Sequence, residues 1–213
     1  MVKAILFDFW GTLVENGVRS PIKQVKRILN ITVPFSEYVL RMERAMMASP
    51  HATLKDAFIN VCKEFSIEYT EEILEQLIGM WNKSWVLAEP YEETEEMLIK
   101  LKEKYDLVLV SNTDSFSVNN VLEKFKLVNY FKKMFFSYEL GMLKGEKNFL
   151  KQVLDETNLA IEDCVLVGDS IQSDMMAAKR LGMKGILVDR RGTRDFHPKV
   201  KDLKELEEVL LSI

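Results

Sequence analysis

The stretch that decides the fold is Val2–Thr12, which reads VKAILFDFWGT. A largely apolar run ends there in a short polar motif that begins with Asp8. A second apolar run, Cys164–Val167, ends in the same way, in GDS at 168–170. Such runs are typical of strands covered on both faces of a parallel sheet. Each run therefore brings a carboxylate to the carboxyl end of a buried strand, where open α/β sheets bind ligands.

Three further β-rich runs indicate that the two strands belong to one larger sheet. They lie at Leu107–Ser111, Met134–Ser137 and Gly185–Asp189, and the first two strands themselves are predicted at Val2–Phe9 and Cys164–Gly168. Between the last four strands, apolar residues recur at helical spacing. Strands that alternate with helices predict βαβ crossovers, so we expect an α/β fold with a parallel sheet.

Residues 16–88 interrupt this alternation, because they contain amphipathic helices and no convincing strand. Thr53 followed by Asp56 resembles a capping box at the start of one helix. A last helix is predicted over Thr70–Ser84. We therefore expect a core formed by residues 1–15 and 89–213, with a small all-helical cap domain inserted at 16–88, after the first strand.

Composition limits the classes of partner and compartment. The chain has 213 residues, a net charge of −4 and a pI near 5.4, which argues against a nucleic-acid surface. No apolar run approaches the roughly 20 residues that span a bilayer. Cys62 and Cys164 are too few and too far apart to suggest a disulfide framework or a zinc site. We expect a cytoplasmic monomer or homodimer with no nucleic-acid or membrane partner.

Four motifs occur in the order and spacing of a known family. They are Asp8-x-Trp10-Gly11-Thr12, Ser111-Asn112, Lys144 and Gly168-Asp169 followed by Asp174. In these motifs the chain resembles the haloacid dehalogenase-like (HAD) hydrolase superfamily over its whole length. The resemblance implies a Rossmann-like core, a cap inserted after the first motif, and hydrolysis of a small-molecule anionic substrate.

The resemblance also implies a nucleophile and a metal. Asp8 is expected to attack the substrate and to form an aspartyl intermediate. Mg²⁺, which prefers a few carboxylates together with substrate oxygens and water, is expected between Asp8 and Asp169. The backbone carbonyl of Trp10 is expected to be a further ligand. Asp174 is expected to orient the water shell of the metal.

Substrate contacts are implied for several other residues of the same motifs. Ser111 and Asn112 are expected to donate hydrogen bonds to the transferring oxygens, and Lys144 to neutralise the nucleophile and the developing charge. Gly11 permits a close approach of the backbone, and Thr12 can present its hydroxyl or N–H group to the substrate. Trp10 itself is placed among the substrate-binding residues.

Trp10 is a departure from the family's phosphatases, which have a second aspartate at this position as the general acid and base. An indole N–H does not ionise usefully, and the loss of such a group typically costs about 10²–10⁴-fold in rate. Aryl or acyl phosphates, whose leaving groups are stable anions, are therefore expected to react better than alkyl phosphates.

Trp10 leaves three alternatives open. The 2-haloacid dehalogenases resemble this chain in having an aromatic residue there, but their last motif carries Ser and Asn instead of Gly168-Asp169. A phosphonoacetaldehyde-hydrolase-like enzyme needs a Schiff-base lysine from the cap, for which Lys23 and Lys26 are the candidates. A regulatory module that binds phosphate and Mg²⁺ without turnover is the third.

Overall fold

The computed structural model describes residues 2–213. Its strands and helices follow one another along the chain as β1 (Ala4–Phe7), β2 (Val14–Glu15), α1 (Pro21–Ile28), α2 (Phe35–Met47), α3 (Leu54–Glu64), α4 (Glu71–Val86), β3 (Glu89–Pro90), α5 (Thr94–Lys102), β4 (Asp106–Ser111), α6 (Ser115–Lys124), β5 (Lys133–Phe136), α7 (Ser137–Leu140), α8 (Phe149–Thr157), β6 (Cys164–Gly168), α9 (Met176–Leu181), β7 (Lys184–Val188), β8 (Lys199–Val200) and α10 (Leu206–Ser212). Among these residues, no helix has the length and apolar composition needed to cross a bilayer.

Six strands form one parallel sheet in the order β5-β4-β1-β6-β7-β8. The chain fills one side of β1 with β4 and β5, then returns to place β6 on the other side. The carboxyl ends of β1, β4 and β6 therefore meet at a topological switch point, which is the usual ligand site of such sheets. The prediction of an α/β fold with a parallel, Rossmann-like sheet is confirmed.

The predicted strands agree with the observed ones except near their ends. The first strand stops at Phe7, so that Asp8 begins the loop, and the fifth predicted strand lies one residue earlier, at Lys184–Val188. Three strands of two residues each, β2, β3 and β8, are absent from the prediction. A two-residue strand shows no apolar periodicity, and its pairing depends on distant segments.

Helices α1–α4 share a cluster of buried side chains that is separate from the two clusters on the faces of the sheet. The Thr53 hydroxyl accepts a hydrogen bond from the Asp56 backbone N–H, as the capping-box pattern predicts, and donates one to the Asp56 carboxylate. Thr70 caps α4 in the same manner, by accepting from the N–H of Ile73. Local capping and a common apolar face together stabilise this helical segment.

The helical segment joins the core at two chain crossings, one before α1 and one after α4. Strands β2 and β3 pair antiparallel, and the N–H of Gly17 donates to the carbonyl of Ser84. A Cβ atom on Gly17 would collide with Leu87, so only glycine permits this close approach. Below the crossings, Arg190 donates to the Glu93 carboxylate and to the Thr12 carbonyl, both at 2.8 Å.

Candidate functional site

Asp8 lies at the centre of the switch point. Its backbone N–H donates to the carbonyl of Val167 at 2.9 Å, which fixes the first residue after β1 against β6. One carboxylate oxygen lies 2.5 Å from the ammonium nitrogen of Lys144, and the other accepts a hydrogen bond from the Thr12 hydroxyl at 3.3 Å. Asp8 is 7% exposed. Both of its oxygens are thus held in a fixed orientation.

Lys144 bridges two of the carboxylates from the loop between α7 and α8. Its ammonium nitrogen lies 2.5 Å from Asp8 Oδ1 and 2.6 Å from Asp174 Oδ1, and it donates to the Val110 carbonyl at 3.1 Å. The side chain is 1% exposed. Its sequence neighbour Lys147 points into solvent. Three acceptors around one ammonium group account for its complete burial, because a buried charge needs partners of opposite charge or hydrogen-bond acceptors.

Asp169 and Asp174 follow β6, and tight backbone geometry places both carboxylates. Residues Ile171–Met175 form one turn of π-helix, and Asp174 Oδ2 accepts from the N–H of Ser170 at 2.9 Å. Gly11 has φ +79°, and a Cβ atom there would lie 2.7 Å from Asp169 Oδ2. The glycine therefore leaves the space that the Asp169 carboxylate occupies.

The three aspartates form one anionic cradle. One ligand oxygen each of Asp8, Asp169 and Asp174 lies within 4.8 Å of the others. Burial, together with the carboxylates of Asp8 and Asp174, raises the pKa of Asp169 to about 7. Burial likewise raises the pKa of Asp8 to about 6, although Lys144 opposes this shift. Burial by itself lowers the pKa of Lys144. The carboxylates of Asp174 and Asp8 raise it by more, so the net pKa is raised.

This charge distribution fits a hard divalent cation. Three carboxylates face one buried ammonium group, so the cradle carries excess negative charge in a poorly solvated place. Oxygen ligands of this kind suit Mg²⁺, which is commonly bound by one or two carboxylates together with water and substrate oxygens. Asp8 and Asp169 are the side chains that would hold it directly, and Asp174 would act through its water shell.

A cavity of about 860 Å³ opens above the cradle, between the sheet and the helical segment. Asp8, Trp10 and Asp169 line its floor, and α1 and α2 contribute its opposite wall. The indole N–H of Trp10 donates to the Thr113 hydroxyl at 3.1 Å, which holds the ring at the edge of the cavity. Trp10 therefore lines the space in which a substrate would bind and does not fill it.

Two of the residues predicted to contact substrate do not face this cavity. The hydroxyl of Thr12 is fully buried and donates to Asp8. Ser111 is also fully buried, and its hydroxyl lies 3.5 Å from the carbonyl of Asn112. In this arrangement both hydroxyls turn toward the protein at the strand ends, and a substrate contact stays a prediction for each residue. The Thr12 hydroxyl contacts Asp8.

Asn112 lines the cavity, but its carboxamide is engaged by the protein on both sides. Its oxygen accepts from the backbone N–H of Lys144 at 2.7 Å. Its nitrogen donates to a carboxylate oxygen of Glu43 at 3.0 Å. Asn112 thus connects the lysine loop of the core with helix α2, a role that the sequence analysis does not include.

Glu43 is the residue of the site that sequence reasoning missed. It lies on α2, lines the same cavity as Asp8, and is partly accessible. Burial raises its pKa to about 7, although the hydrogen bond from Asn112 opposes the shift. No motif includes it, and its neighbours Arg41 and Arg44 give this part of α2 the composition of a solvated face. Its one indirect signal in the sequence is Trp10, which stands where the family's phosphatases have an acid.

Other contacts close the helical segment over the cradle. The indole N–H of Trp81, on α4, donates to Asp114 at 3.0 Å and to Ser117 at 3.2 Å. Arg44 lies 3.2 Å from Glu146 in an exposed ion pair. The buried contacts of Trp81 contribute more than the ion pair, because exposed pairs are typically worth less than about 1 kcal/mol. Trp81 therefore combines packing in the helical segment with attachment to the core.

The comparisons with known proteins agree with this geometry. The sequence pattern of the haloacid dehalogenase-like hydrolases matches residues 5–188. The chain is similar to glyceraldehyde 3-phosphate phosphatase of Methanothermobacter thermautotrophicus, with 26% identity over 99% of this chain and 100% of that protein. The corresponding phosphatase of Methanocaldococcus jannaschii is 25% identical over 100% of this chain and 99% of its own.

Two solved structures share the fold at lower identity. The HAD hydrolase YfnB of Bacillus subtilis, bound to magnesium, superposes with a TM-score of 0.69, 19% identity and 99% coverage of both chains. The 2-haloacid dehalogenase of Pseudomonas syringae gives a TM-score of 0.66 at 18% identity, over 100% of this chain and 99% of that one. Since the family pattern spans most of the sequence and the fold agrees, the chain belongs to the haloacid dehalogenase-like hydrolases and is an enzyme of that family.

Proposed function

We propose that the protein is a Mg²⁺-dependent phosphatase that hydrolyses a small phosphorylated compound through an aspartyl intermediate on Asp8. The observation that carries the proposal is the cradle of Asp8, Asp169 and Asp174 around the buried Lys144, at the floor of a cavity. The names of the relatives support a phosphate ester as substrate, and glyceraldehyde 3-phosphate is the first compound to test.

Asp8 is the nucleophile in this proposal. Lys144 and the Thr12 hydroxyl hold its two oxygens, so one lone pair can be directed at the phosphorus with little reorganisation. Mg²⁺, when bound, supplies charge neutralisation for the attack of one anion on another. The ammonium group of Lys144 neutralises part of the negative charge as well. It stays protonated because two carboxylates, Asp8 and Asp174, stabilise its charge.

The metal ligands of the proposal are Asp8, Asp169 and the backbone carbonyl of Trp10, with Asp174 holding Lys144 and the water shell. We propose residues 16–88 as the cap, which closes the cavity against water during the reaction. The cationic side chains Lys23, Arg41 and Arg44 line the cavity from this segment and have the charge to attract an anionic substrate.

The experiment compares wild type with Asp8→Asn on p-nitrophenyl phosphate and glyceraldehyde 3-phosphate, with Mg²⁺ and with EDTA. We expect phosphate release that requires Mg²⁺ and that falls at least about 10³-fold in Asp8→Asn, since the substituted amide is not a nucleophile. Asn120→Asp, on the exposed face of α6, is a control for an altered surface charge. A wild type that releases no phosphate from either ester contradicts the proposal.

The same assays separate the alternatives. Chloride release from a 2-chloro acid without metal identifies a dehalogenase, whose chemistry needs no proton donor at position 10. Binding of Mg²⁺ and phosphate without turnover identifies the regulatory module. Of the cap lysines that a Schiff-base mechanism needs, Lys23 lines the cavity, whereas the ammonium group of Lys26 donates to the carbonyl of Ile31. The three-carboxylate cradle favours a metal-dependent reaction over the metal-free dehalogenase, and turnover distinguishes the phosphatase from the regulatory module.

A further inference from the structure

We propose that Glu43, on helix α2 of the cap, is the general acid and base that Trp10 cannot be. The inference rests on the proposed phosphatase function and names a catalytic residue for it. Helix α2 places Glu43 on the lining of the cavity that Asp8 also lines, and the Asn112 carboxamide donates to its carboxyl group at 3.0 Å.

The direction of the reaction requires a proton donor on the cap side of the cavity, where α2 carries Glu43. In phosphoryl transfer the attacking and leaving oxygens lie roughly in line on opposite sides of the phosphorus. Asp8 attacks from the sheet, so the leaving oxygen points into the cavity and toward the cap. A proton donor at position 10 would reach that oxygen from the core, and Glu43 reaches it from the cap. Among residues 2–213, neither histidine lines the cavity, so an imidazole does not compete for this role.

Asn112 gives Glu43 a fixed relation to the reacting groups. Its carboxamide bonds Glu43 on one side and the backbone N–H of Lys144 on the other, and Lys144 contacts Asp8. Three charged groups of the core also act on the pKa of Glu43. Lys144 lowers it, and Asp174 and Asp8 raise it. The pKa of Glu43, raised to about 7 by burial, lets the carboxyl group carry its proton near neutral pH.

The two half-reactions balance with Glu43 in this role. In the first, an Asp8 oxygen forms a bond to phosphorus, the bond between phosphorus and the leaving oxygen breaks, and that oxygen takes the Glu43 proton. In the second, the Glu43 carboxylate takes a proton from water as the water oxygen bonds to phosphorus. The bond between phosphorus and Asp8 breaks, its electron pair returns to the aspartate, and Glu43 is protonated again.

The test measures release of the alcohol in the first turnover by rapid quench, with saturating Mg²⁺. Glu43→Gln keeps an oxygen that can accept from Asn112 but has no acidic proton. For glycerol 3-phosphate, an alkyl ester, we expect the rate to fall about 10²–10⁴-fold. For p-nitrophenyl phosphate, whose leaving group needs no proton, we expect a change of less than about tenfold. The nitrophenol burst also reports that the variant is folded and can form the intermediate.

Two further variants sharpen the result. Glu37→Gln removes the other carboxylate of α2, which is exposed and paired with Arg41, and we expect both rates to remain as in wild type. Trp10→Asp combined with Glu43→Gln restores an acid from the core side, and we expect at least a tenfold recovery with the alkyl ester. Such a rescue is not expected if Glu43 only attaches the cap to the core.

The outcomes are distinguishable. Equal losses with both esters in Glu43→Gln, or no loss with either, overturn the role of Glu43 while the phosphatase proposal stands. No phosphate release by wild type, or full activity in Asp8→Asn, overturns the phosphatase proposal itself. If Glu43 acts as proposed, the preference for aryl esters expected from Trp10 appears in Glu43→Gln and is weak in wild type.

Discussion

The indole nitrogen of Trp10 donates a hydrogen bond to the hydroxyl oxygen of Thr113, 3.1 Å away, across the gap between the loops that follow β1 and β4. The ring also meets Phe9 edge to face, with the ring centroids 4.9 Å apart. Trp10 is therefore anchored as a structural side chain at a position where its family's phosphatases have a reactive one.

Trp10→Phe tests whether the indole has any part in the chemistry. The substitution removes the bond to Thr113 but keeps the ring and the backbone carbonyl. We expect a loss of about 0.5–1.5 kcal/mol in the free energy of unfolding, measured by urea denaturation. We also expect turnover and Mg²⁺ affinity within about threefold of wild type. A decrease of 100-fold or more in turnover is incompatible with a structural role.

Gly11→Ala tests the close approach to Asp169 of the loop that follows β1 and carries Asp8. Gly11 has φ +79°, so alanine is strained by about 1–2 kcal/mol, and its Cβ atom would meet Asp169 Oδ2 at 2.7 Å. Gly182→Ala is the matched control, because Gly182 has φ +78° at the end of α9 with no atom near its Cβ position. We expect both variants to lose similar stability, and only Gly11→Ala to lose Mg²⁺ affinity by calorimetry.

Asp169→Asn tests the repulsion inside the cradle. Without metal at pH 7.5, removing one of three crowded carboxylates should raise the melting temperature by about 2–4 °C, the shift that roughly 1 kcal/mol produces in a chain of this size. The contact with Arg194, at 3.8 Å, is too long to offset this gain. In wild type, Mg²⁺ at 100 times its dissociation constant should stabilise by about 2.7 kcal/mol. Scanning calorimetry should show that Asp169→Asn has lost most of this stabilisation.

Glu93→Gln tests the buried ion pair below the chain crossings. Burial raises the pKa of Glu93, but hydrogen bonds from its own backbone and from Arg190 outweigh this, and the net pKa is lowered from 4.5. A lowered carboxyl pKa means stability that is present above pH 4.5 and is lost as the pH falls through the folded-state pKa. We expect Glu93→Gln to cost about 1.5–3 kcal/mol at pH 7 and progressively less as the pH falls below 4.5. A cost that stays constant as the pH falls contradicts the assignment.

The sequence was sufficient to predict the parallel sheet and the convergence of Asp8 with Asp169. Each of these residues follows an uninterrupted apolar run, and parallel strands end at a common edge, so local pattern and general topology are enough. Lys144 was found by its place among the motifs, and the structure puts it between Asp8 and Asp174.

The remaining features depend on long-range packing. Glu43 reaches Asn112, 69 residues away, only because α2 lies across the cavity, and no periodicity in α2 indicates this. The inward rotation of the Thr12 and Ser111 hydroxyls depends on which acceptors lie behind each strand end. The pairing of β2 with β3 joins residues on either side of the four helices, and it leaves no local sequence pattern.

Arg190 clamps together two segments of the core next to the chain crossings. Its guanidinium group joins the carbonyl of Thr12 to the carboxylate of Glu93, which follows β3. It also stacks on Tyr91, with 3.3 Å between its central carbon and the ring centroid. If residues 16–88 move as the proposed cap, this clamp would stay with the core. Glu43, on α2, would move with such a cap, whereas Asp8 and Lys144 would stay together on the core.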